Sequence, residues 1–273
     1  MNVAIHLHPT SYEELNAVLE ELVTSVQAVL GGSFVGAYLQ GSFAVGDYDE
    51  HSDVDFVVAI ADELSDDQAT ALQAVHERIY ALDSEWAKHL EGSYFPLAIL
   101  GDHLACDRDL WYLDHGSRRL VRSDHCNTLV VRTVLREHGI ALAGPKSTTL
   151  LSPIPVVALR REIRDVIRDW GEEILLEPDR YRNRFYQGFI VLSYCRMLHD
   201  FITGRPGSKR SGAAWAKAKL DGKWSRLIDR AWDTRPNPAV SVREPANAAD
   251  FASTLEFIKL IMQETERRAS ELL

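Results

Sequence analysis

The stretch that decides the fold is residues 41–60, which read GSFAVGDYDEHSDVDFVVAI. It ends in a run of apolar and β-branched residues, 56–60, that is typical of a buried strand. Side chains alternate along a strand, so Asp53 and Asp55 share one face and Val54 lies on the other. Two carboxylates this close repel each other unless a cation lies between them, and Mg²⁺ prefers oxygen ligands. The pair therefore predicts a magnesium site at the start of a strand.

The turn before this strand carries groups suited to phosphate. Gly41 permits a close backbone approach, and Ser42 offers a hydroxyl and an amide to phosphate oxygens. Each half of the pattern is weak alone, because an isolated Asp-x-Asp is commonly a solvated turn. Joined, the two halves favour phosphate and metal chemistry, since carboxylates at the start of an apolar strand need a partner.

The surrounding sequence predicts a mixed α/β (α+β) domain. Residues 34–39 are strand-like, so together with the run at 53–60 they predict a β-hairpin with a long turn. Ser11 and Glu14 have the spacing of a capping box at the start of the first helix. Apolar periodicity predicts helices over 15–30, 66–82 and 123–137, and a strand region over 90–100.

Beyond a proline-rich stretch, residues 152–155, the pattern is almost entirely helical. We therefore expect two domains, 1–152 with a mixed sheet and 153–273 as an all-α helical bundle, with the active site in the cleft between them. One helix is defined by an apolar stripe of Leu159, Ile163, Val166, Ile167, Trp170 and Ile174.

Composition narrows the class of partner. The chain of 273 residues has 40 acidic and 30 basic side chains and a formal charge of -10, which argues against binding to a nucleic acid. A small cationic substrate fits better, although mild acidity also serves solubility alone. The sequence shows neither a targeting segment nor an apolar run long enough to cross a membrane, so we expect a cytoplasmic protein without membrane contact.

Several segments resemble one enzyme family. Residues 41–55 are similar to the motif of the streptomycin/spectinomycin adenylyltransferases, which belong to the nucleotidyltransferase superfamily typified by DNA polymerase β and kanamycin nucleotidyltransferase. Residues 203–209 and 213–216 resemble that family's helical domain, and residues 141–145 also match. The resemblance implies Mg²⁺-dependent transfer of AMP from ATP, as co-substrate, to a hydroxyl of an aminoglycoside or aminocyclitol antibiotic, with release of pyrophosphate.

The resemblance also implies roles for individual residues. Glu91 matches the acidic residue that lies beside the Asp pair and accepts the proton of the attacking hydroxyl, and it joins Asp53 and Asp55 as a metal ligand. Lys209 and Arg196 match basic residues that reach the nucleotide phosphates. The alternatives are a surface glutamate at a strand edge for Glu91 and an interhelical ion pair for Arg196.

Two departures from the family bear on the acceptor. Residues 114–117 stand where streptomycin-modifying members have a tryptophan, and Tyr186 stands near the place of their aspartate. We therefore predict that spectinomycin is favoured over streptomycin. A cationic acceptor needs carboxylates, for which Glu91 is the first candidate and Asp114 and Asp179 are further ones.

Two other functions remain open from the sequence. The chain is then either a nucleotidyltransferase acting on another small hydroxylated metabolite or a protein side chain, or a catalytically silent nucleotide-binding regulator. The intact pair of Asp53 and Asp55, together with Glu91, disfavours the silent form. The oligomeric state is open and compatible with a monomer.

Overall fold

The computed structural model describes residues 8–50, 52–233, 235 and 243–273. It divides into two compact units, Met1–Ile154 and Pro155–Leu273. The first unit holds a mixed sheet with helices and the second is helical, which confirms the predicted fold class. The division falls inside the proline-rich stretch 152–155.

The first unit is organised around a six-stranded sheet of order β5-β4-β3-β2-β1-β6. Strands β2 and β3 pair in parallel, and the other neighbours pair antiparallel. The β1–β2 pair confirms the predicted hairpin. The strands are β1 Phe34–Leu39, β2 Val54–Ile60, β3 Leu90–Pro96, β4 Leu110–Leu113, β5 Leu120–Ser123 and β6 Ile140–Ala143.

Helices in this unit pack on both faces of the sheet. Val54, Phe56 and other residues on one face join a core with apolar residues of α1 and α3. Val57 and Ala59 on the opposite face join a second core with Leu135 of α5. The helices are α1 Glu13–Leu30, α2 Gly41–Ala44, α3 Asp66–Tyr80, α4 Leu97–Leu100 and α5 Leu129–His138.

Three local predictions for this unit, a capping box, the end of a strand and the start of a helix, were wrong. The first helix begins after Tyr12 without a side-chain cap, because Asn16 bonds back to Thr10, accepting from its amide and donating to its carbonyl. The predicted capping box of Ser11 and Glu14 is therefore absent. The strand predicted to reach residue 100 ends at Pro96, where α4 follows. The helix predicted over 123–137 begins only at Leu129.

The second unit is built from five described helices. Most of the predicted stripe on α6 is buried, but the side chain of Val166 is 43% exposed, so that position was wrongly assigned to the core. Within the described residues, every helix is too short or too polar to cross a bilayer. The helices are α6 Val156–Leu176, α7 Arg184–Thr203, α8 Lys209–Lys219, α9 Ser225–Asp233 and α10 Ala248–Leu272.

Candidate active site

The carboxylates of β2 and β3 lie side by side. In the parallel register, Asp55 pairs with Glu91, so the two side chains occupy the same row of the sheet. Asp53 stands one residue before β2, and its negative charge, like that of Asp55, acts on Glu91, so it lies near the same face of the sheet. This is the face whose continuation, at Val57 and Ala59, packs into the second core. The predicted metal ligands are thus brought together at the polar end of a face that is otherwise apolar.

The turn that carries Gly41 closes against the Asp55 carboxylate. The amide of Gln40 donates to the backbone carbonyl of Asp55 at 2.9 Å, which holds the turn to the start of β2. Gly41 has φ +60°, and a Cβ there would lie 2.0 Å from Oδ2 of Asp55. Both the positive φ and the lack of space for a Cβ require a glycine at this position. Ser42 follows as the second residue of α2, so the predicted phosphate-binding pair lies beside the predicted metal ligands.

The electrostatics of Glu91 reflect its neighbours. Burial raises the pKa of Glu91 to about 8, and the negative charges of Asp55 and Asp53 act in the same direction. A hydrogen bond from Tyr112 opposes them. The Glu91 side chain is 14% exposed, which contradicts the alternative of an ordinary surface glutamate. A carboxyl with so high a pKa needs a positive charge nearby to be ionised at neutral pH.

The residues fit a magnesium ion that is shared with a phosphate ligand. In the part of the chain that the structure describes, no group of three His, Cys, Asp or Glu side chains is arranged to hold a metal unaided. Mg²⁺ is commonly held by one or two carboxylates together with water and substrate phosphates, so it does not need such a group. The crowded negative charge at Asp53, Asp55 and Glu91 is the observation that favours a cation here.

Aromatic and imidazole side chains surround the carboxylates. Tyr112 donates to Oε1 of Glu91 at 2.8 Å, and His125 Nε2 lies 3.6 Å from the same oxygen. His115 Nε2 lies 3.3 Å from Oδ1 of Asp53. The spacing of two residues between Tyr112 and Asp114 could have predicted Tyr112 at the site, because side chains two residues apart on a strand share one face. No sequence periodicity predicts His115 and His125 at the site.

The two basic residues implied by the resemblance lie in the second unit, near the start of α8. Helix α8 packs tightly on α7 at Gly212, where a Cβ would come within 2.5 Å of the Arg196 Cα. Lys209 is the first residue of α8, after the N-cap Ser208, and its Nζ lies 4.5 Å above the centre of the Phe189 ring. The close helix contact at Gly212 therefore sets Arg196 against the first turns of α8.

A buried aspartate holds the loop before Lys209. The side chain of Asp200 is 3% exposed and accepts hydrogen bonds from the amide of Gly207 and from Nδ1 of His199, each at 2.8 Å. Burial raises its pKa, and the His199 contact opposes the rise. The further acceptor-binding candidate Asp179, also in this unit, lies 3.2 Å from Arg182 in an exposed ion pair.

Comparisons with known proteins agree with this architecture. Residues 149–256 match the family model described as aminoglycoside adenylyltransferase, C-terminal domain, and residues 13–90 match the nucleotidyltransferase domain. The aminoglycoside (3'') (9) adenylyltransferase of Shigella flexneri is 21% identical over 226 residues, which cover 79% of this chain and 83% of the relative. The spectinomycin 9-adenylyltransferase of Staphylococcus aureus is 27% identical over 219 residues, covering 76% and 79%.

A solved structure shows the same fold. The crystal structure of the spectinomycin adenyltransferase AAD(9) from Enterococcus faecialis, with ATP and spectinomycin, superposes with a TM-score of 0.68 at 15% identity. The match covers 90% of this chain and 98% of that one. One family model matches within each unit, and the relatives align over more than three quarters of their own length. The chain therefore belongs to the aminoglycoside adenylyltransferase family of nucleotidyltransferases.

Proposed function

We propose that this enzyme transfers AMP from ATP to a hydroxyl group of an aminoglycoside or aminocyclitol antibiotic and releases pyrophosphate. The observation that carries the proposal is the β2–β3 register, which sets Asp55 beside Glu91 while Gly41 closes against the Asp55 carboxylate. A phosphate-binding turn, a carboxylate pair and a third carboxylate on the neighbouring strand are the parts that nucleotidyl transfer needs. The activities for which the relatives are named support the class of acceptor.

Asp53 and Asp55, with Glu91 beside them, would hold the magnesium ion. When bound there, Mg²⁺ supplies positive charge that orients the triphosphate and offsets the charge that develops during transfer. The turn at Gly41 and Ser42 approaches the phosphates through backbone amides and a hydroxyl. The family resemblance assigns Lys209 and Arg196 to the phosphates that leave as pyrophosphate, where positive charge offsets the negative charge that accumulates.

Glu91 receives the proton of the acceptor. The acceptor oxygen forms a bond to the α-phosphorus while the bond from that phosphorus to the bridging oxygen of the β-phosphate breaks. The hydroxyl proton moves to the Glu91 carboxylate, which a positive charge beside Asp53 and Asp55 keeps ionised at neutral pH. The high pKa that burial and the two aspartates give Glu91 then favours proton uptake.

The acceptor proposed first is spectinomycin rather than streptomycin. The tryptophan that holds streptomycin in related enzymes is replaced here by residues 114–117, and Tyr186 stands near the place of their aspartate. In this segment Asp114 is exposed and accepts a hydrogen bond from Tyr112, so its carboxylate is held in place and available to a cation. The name of one relative, spectinomycin 9-adenylyltransferase, supports the same acceptor.

Product analysis tests the reaction. The purified protein is incubated with Mg²⁺, each of the four nucleoside triphosphates in turn and a panel of aminoglycosides and aminocyclitols, and the products are weighed by mass spectrometry. We expect an AMP adduct on an antibiotic only with ATP, and none with the Asp55→Asn variant. An adduct on another hydroxylated metabolite or on protein would show that the acceptor is not an antibiotic. The absence of an adduct with any triphosphate would refute nucleotidyl transfer.

A growth assay tests the choice of antibiotic. The chain is expressed in a susceptible bacterium, and the inhibitory concentrations of spectinomycin and streptomycin are measured against cells that express the Glu91→Gln variant. We expect protection against spectinomycin to exceed protection against streptomycin. Protection against streptomycin alone would show that the replaced tryptophan and aspartate do not set the preference.

A further inference from the structure

Tyr112 lies between two carboxylates of the active-site face. It is a buried residue of β4 and pairs with Ser93 of β3. Its hydroxyl lies 2.8 Å from Oε1 of Glu91 and 2.9 Å from Oδ1 of Asp114, and it donates to both. A hydroxyl carries a single proton, so the two bonds share it. Tyr112 therefore links the side chain of Glu91 on β3 to that of Asp114, the residue that follows β4.

This link lies where the pairing of β3 and β4 ends. Gly92 and Leu113 are the last paired residues of the antiparallel register, and Glu91 and Asp114 come next to them along the chain. Both carboxylates lie within hydrogen-bond distance of the same hydroxyl, and like charges this close repel each other. A donor placed between them offsets the repulsion and fixes both carboxylates relative to the strand. Nothing in the pairing of β3 and β4 requires a tyrosine otherwise, because a phenylalanine fills the same apolar volume.

Among the described residues, the polar contacts of Glu91 fall on one oxygen. Both Tyr112 and His125 approach Oε1, at 2.8 Å and 3.6 Å. In the part of the chain that the structure describes, no residue donates a hydrogen bond to Oε2. Anchoring Oε1 fixes the rotation of the carboxyl group, so Oε2 has one direction in which to meet an incoming hydroxyl.

We propose that Tyr112 is a positioning residue, which anchors Oε1 of Glu91 so that Oε2 receives the proton of the acceptor hydroxyl. This assignment rests on the proposed function of Glu91. Tyr112 does not contact the reacting atoms, and its effect passes through the orientation of the carboxylate. A proton transfer depends on the geometry of donor and acceptor, so a freely rotating Glu91 lowers the rate of transfer more than it lowers the affinity for ATP.

The test is the Tyr112→Phe variant, which removes one oxygen and keeps the ring. We expect kcat to fall by about tenfold, the loss of one charge-assisted hydrogen bond, while KM for ATP stays within about twofold. In the Glu91→Gln background the same substitution produces no further fall in kcat, because its effect passes through Glu91. The matched control is Tyr94→Phe on β3, whose hydroxyl bonds the buried His76 at 2.7 Å. It lowers Tm and leaves kcat unchanged.

A second measurement does not depend on catalysis. Thermal unfolding of wild type, Tyr112→Phe, Glu91→Gln and the double variant measures the coupling of the two side chains, and we expect their effects on Tm to be non-additive. An unchanged kcat in Tyr112→Phe, an equal fall in Tyr94→Phe or a multiplicative loss in the double variant overturns the positioning role. If Glu91→Gln retains wild-type turnover, the role of Glu91 in the proposed function fails, and the role of Tyr112 fails with it. If the kinetic results are as expected but the effects of the two substitutions on Tm are additive, the hydrogen bond between Tyr112 and Glu91 is absent and the positioning role is overturned.

Discussion

The contact between Gly41 and Asp55 makes a sharp prediction for the Gly41→Ala variant. A Cβ at this position would lie 2.0 Å from Oδ2 and 2.6 Å from Cγ of Asp55, well inside the 3.4 Å of ordinary contact. The carboxylate must therefore retreat by more than about 1 Å, and a misplacement of that size costs roughly a hundredfold in rate. The positive φ of +60° adds a conformational cost of about 1–2 kcal/mol to folding.

Gly46→Ala separates these two effects. Gly46 has φ +73° in the same loop, but a Cβ there meets no atom within 4 Å. Both variants should lose similar stability in thermal unfolding, whereas only Gly41→Ala should lose about a hundredfold in kcat. The assay is the initial rate of pyrophosphate release with saturating Mg²⁺, ATP and acceptor. Equal rates for the two variants would show that the position of the Asp55 carboxylate does not control transfer.

Three further predictions concern charge. Asp53→Asn and Asp55→Asn should abolish pyrophosphate release even at saturating Mg²⁺, and near wild-type turnover in either would remove that residue from the metal site. Lys209→Ala should raise KM for ATP roughly ten- to a hundredfold. Its neighbouring control, Arg210→Ala, should not, and equal values would place Lys209 on an ordinary solvated face. Burial lowers the pKa of His76 from 6.5 to about 4. Between these values the unfolded state binds more protons, so the free energy of unfolding should fall by about 3 kcal/mol as pH drops from 6.5 to 4. Urea unfolding of wild type and His76→Gln at pH 7, 5 and 4 measures this fall, and an equal fall in both would assign it to other groups.

Local sequence was enough to predict much of the first unit. The limits of β1 were predicted to the residue, and the start of β2 differs by one. Strand alternation alone placed Asp53 and Asp55 on one face, since that period does not depend on the rest of the fold. Apolar periodicity likewise located α3 within two residues of its end.

Local sequence patterns do not predict contacts between residues that are far apart along the chain. The parallel pairing of Asp55 with Glu91 joins strands that are separated by helix α3, and no local pattern sets its register. Glu91 was placed at the site by resemblance, not by periodicity. Ser11 and Glu14 had the spacing of a capping box, but the bonds between Thr10 and Asn16 replaced it. Competing side-chain bonds of this kind depend on backbone geometry that the sequence does not specify.

The repulsion between the carboxylates of Asp55 and Glu91 destabilises the fold, so the Tm of an aspartate variant is a second test of the metal site. Asp55 and Glu91 stand in register on adjacent strands, and the charge of Asp55 raises the pKa of Glu91, which shows that the two repel. Asparagine keeps the shape of Asp55 and removes the charge. We therefore expect Asp55→Asn to hold or slightly raise the Tm of the metal-free protein while activity is lost, a combination typical of groups retained for catalysis. A clear fall in Tm would mean that Asp55 serves the fold as a hydrogen-bond acceptor, and the loss of activity would then be no evidence for a metal site.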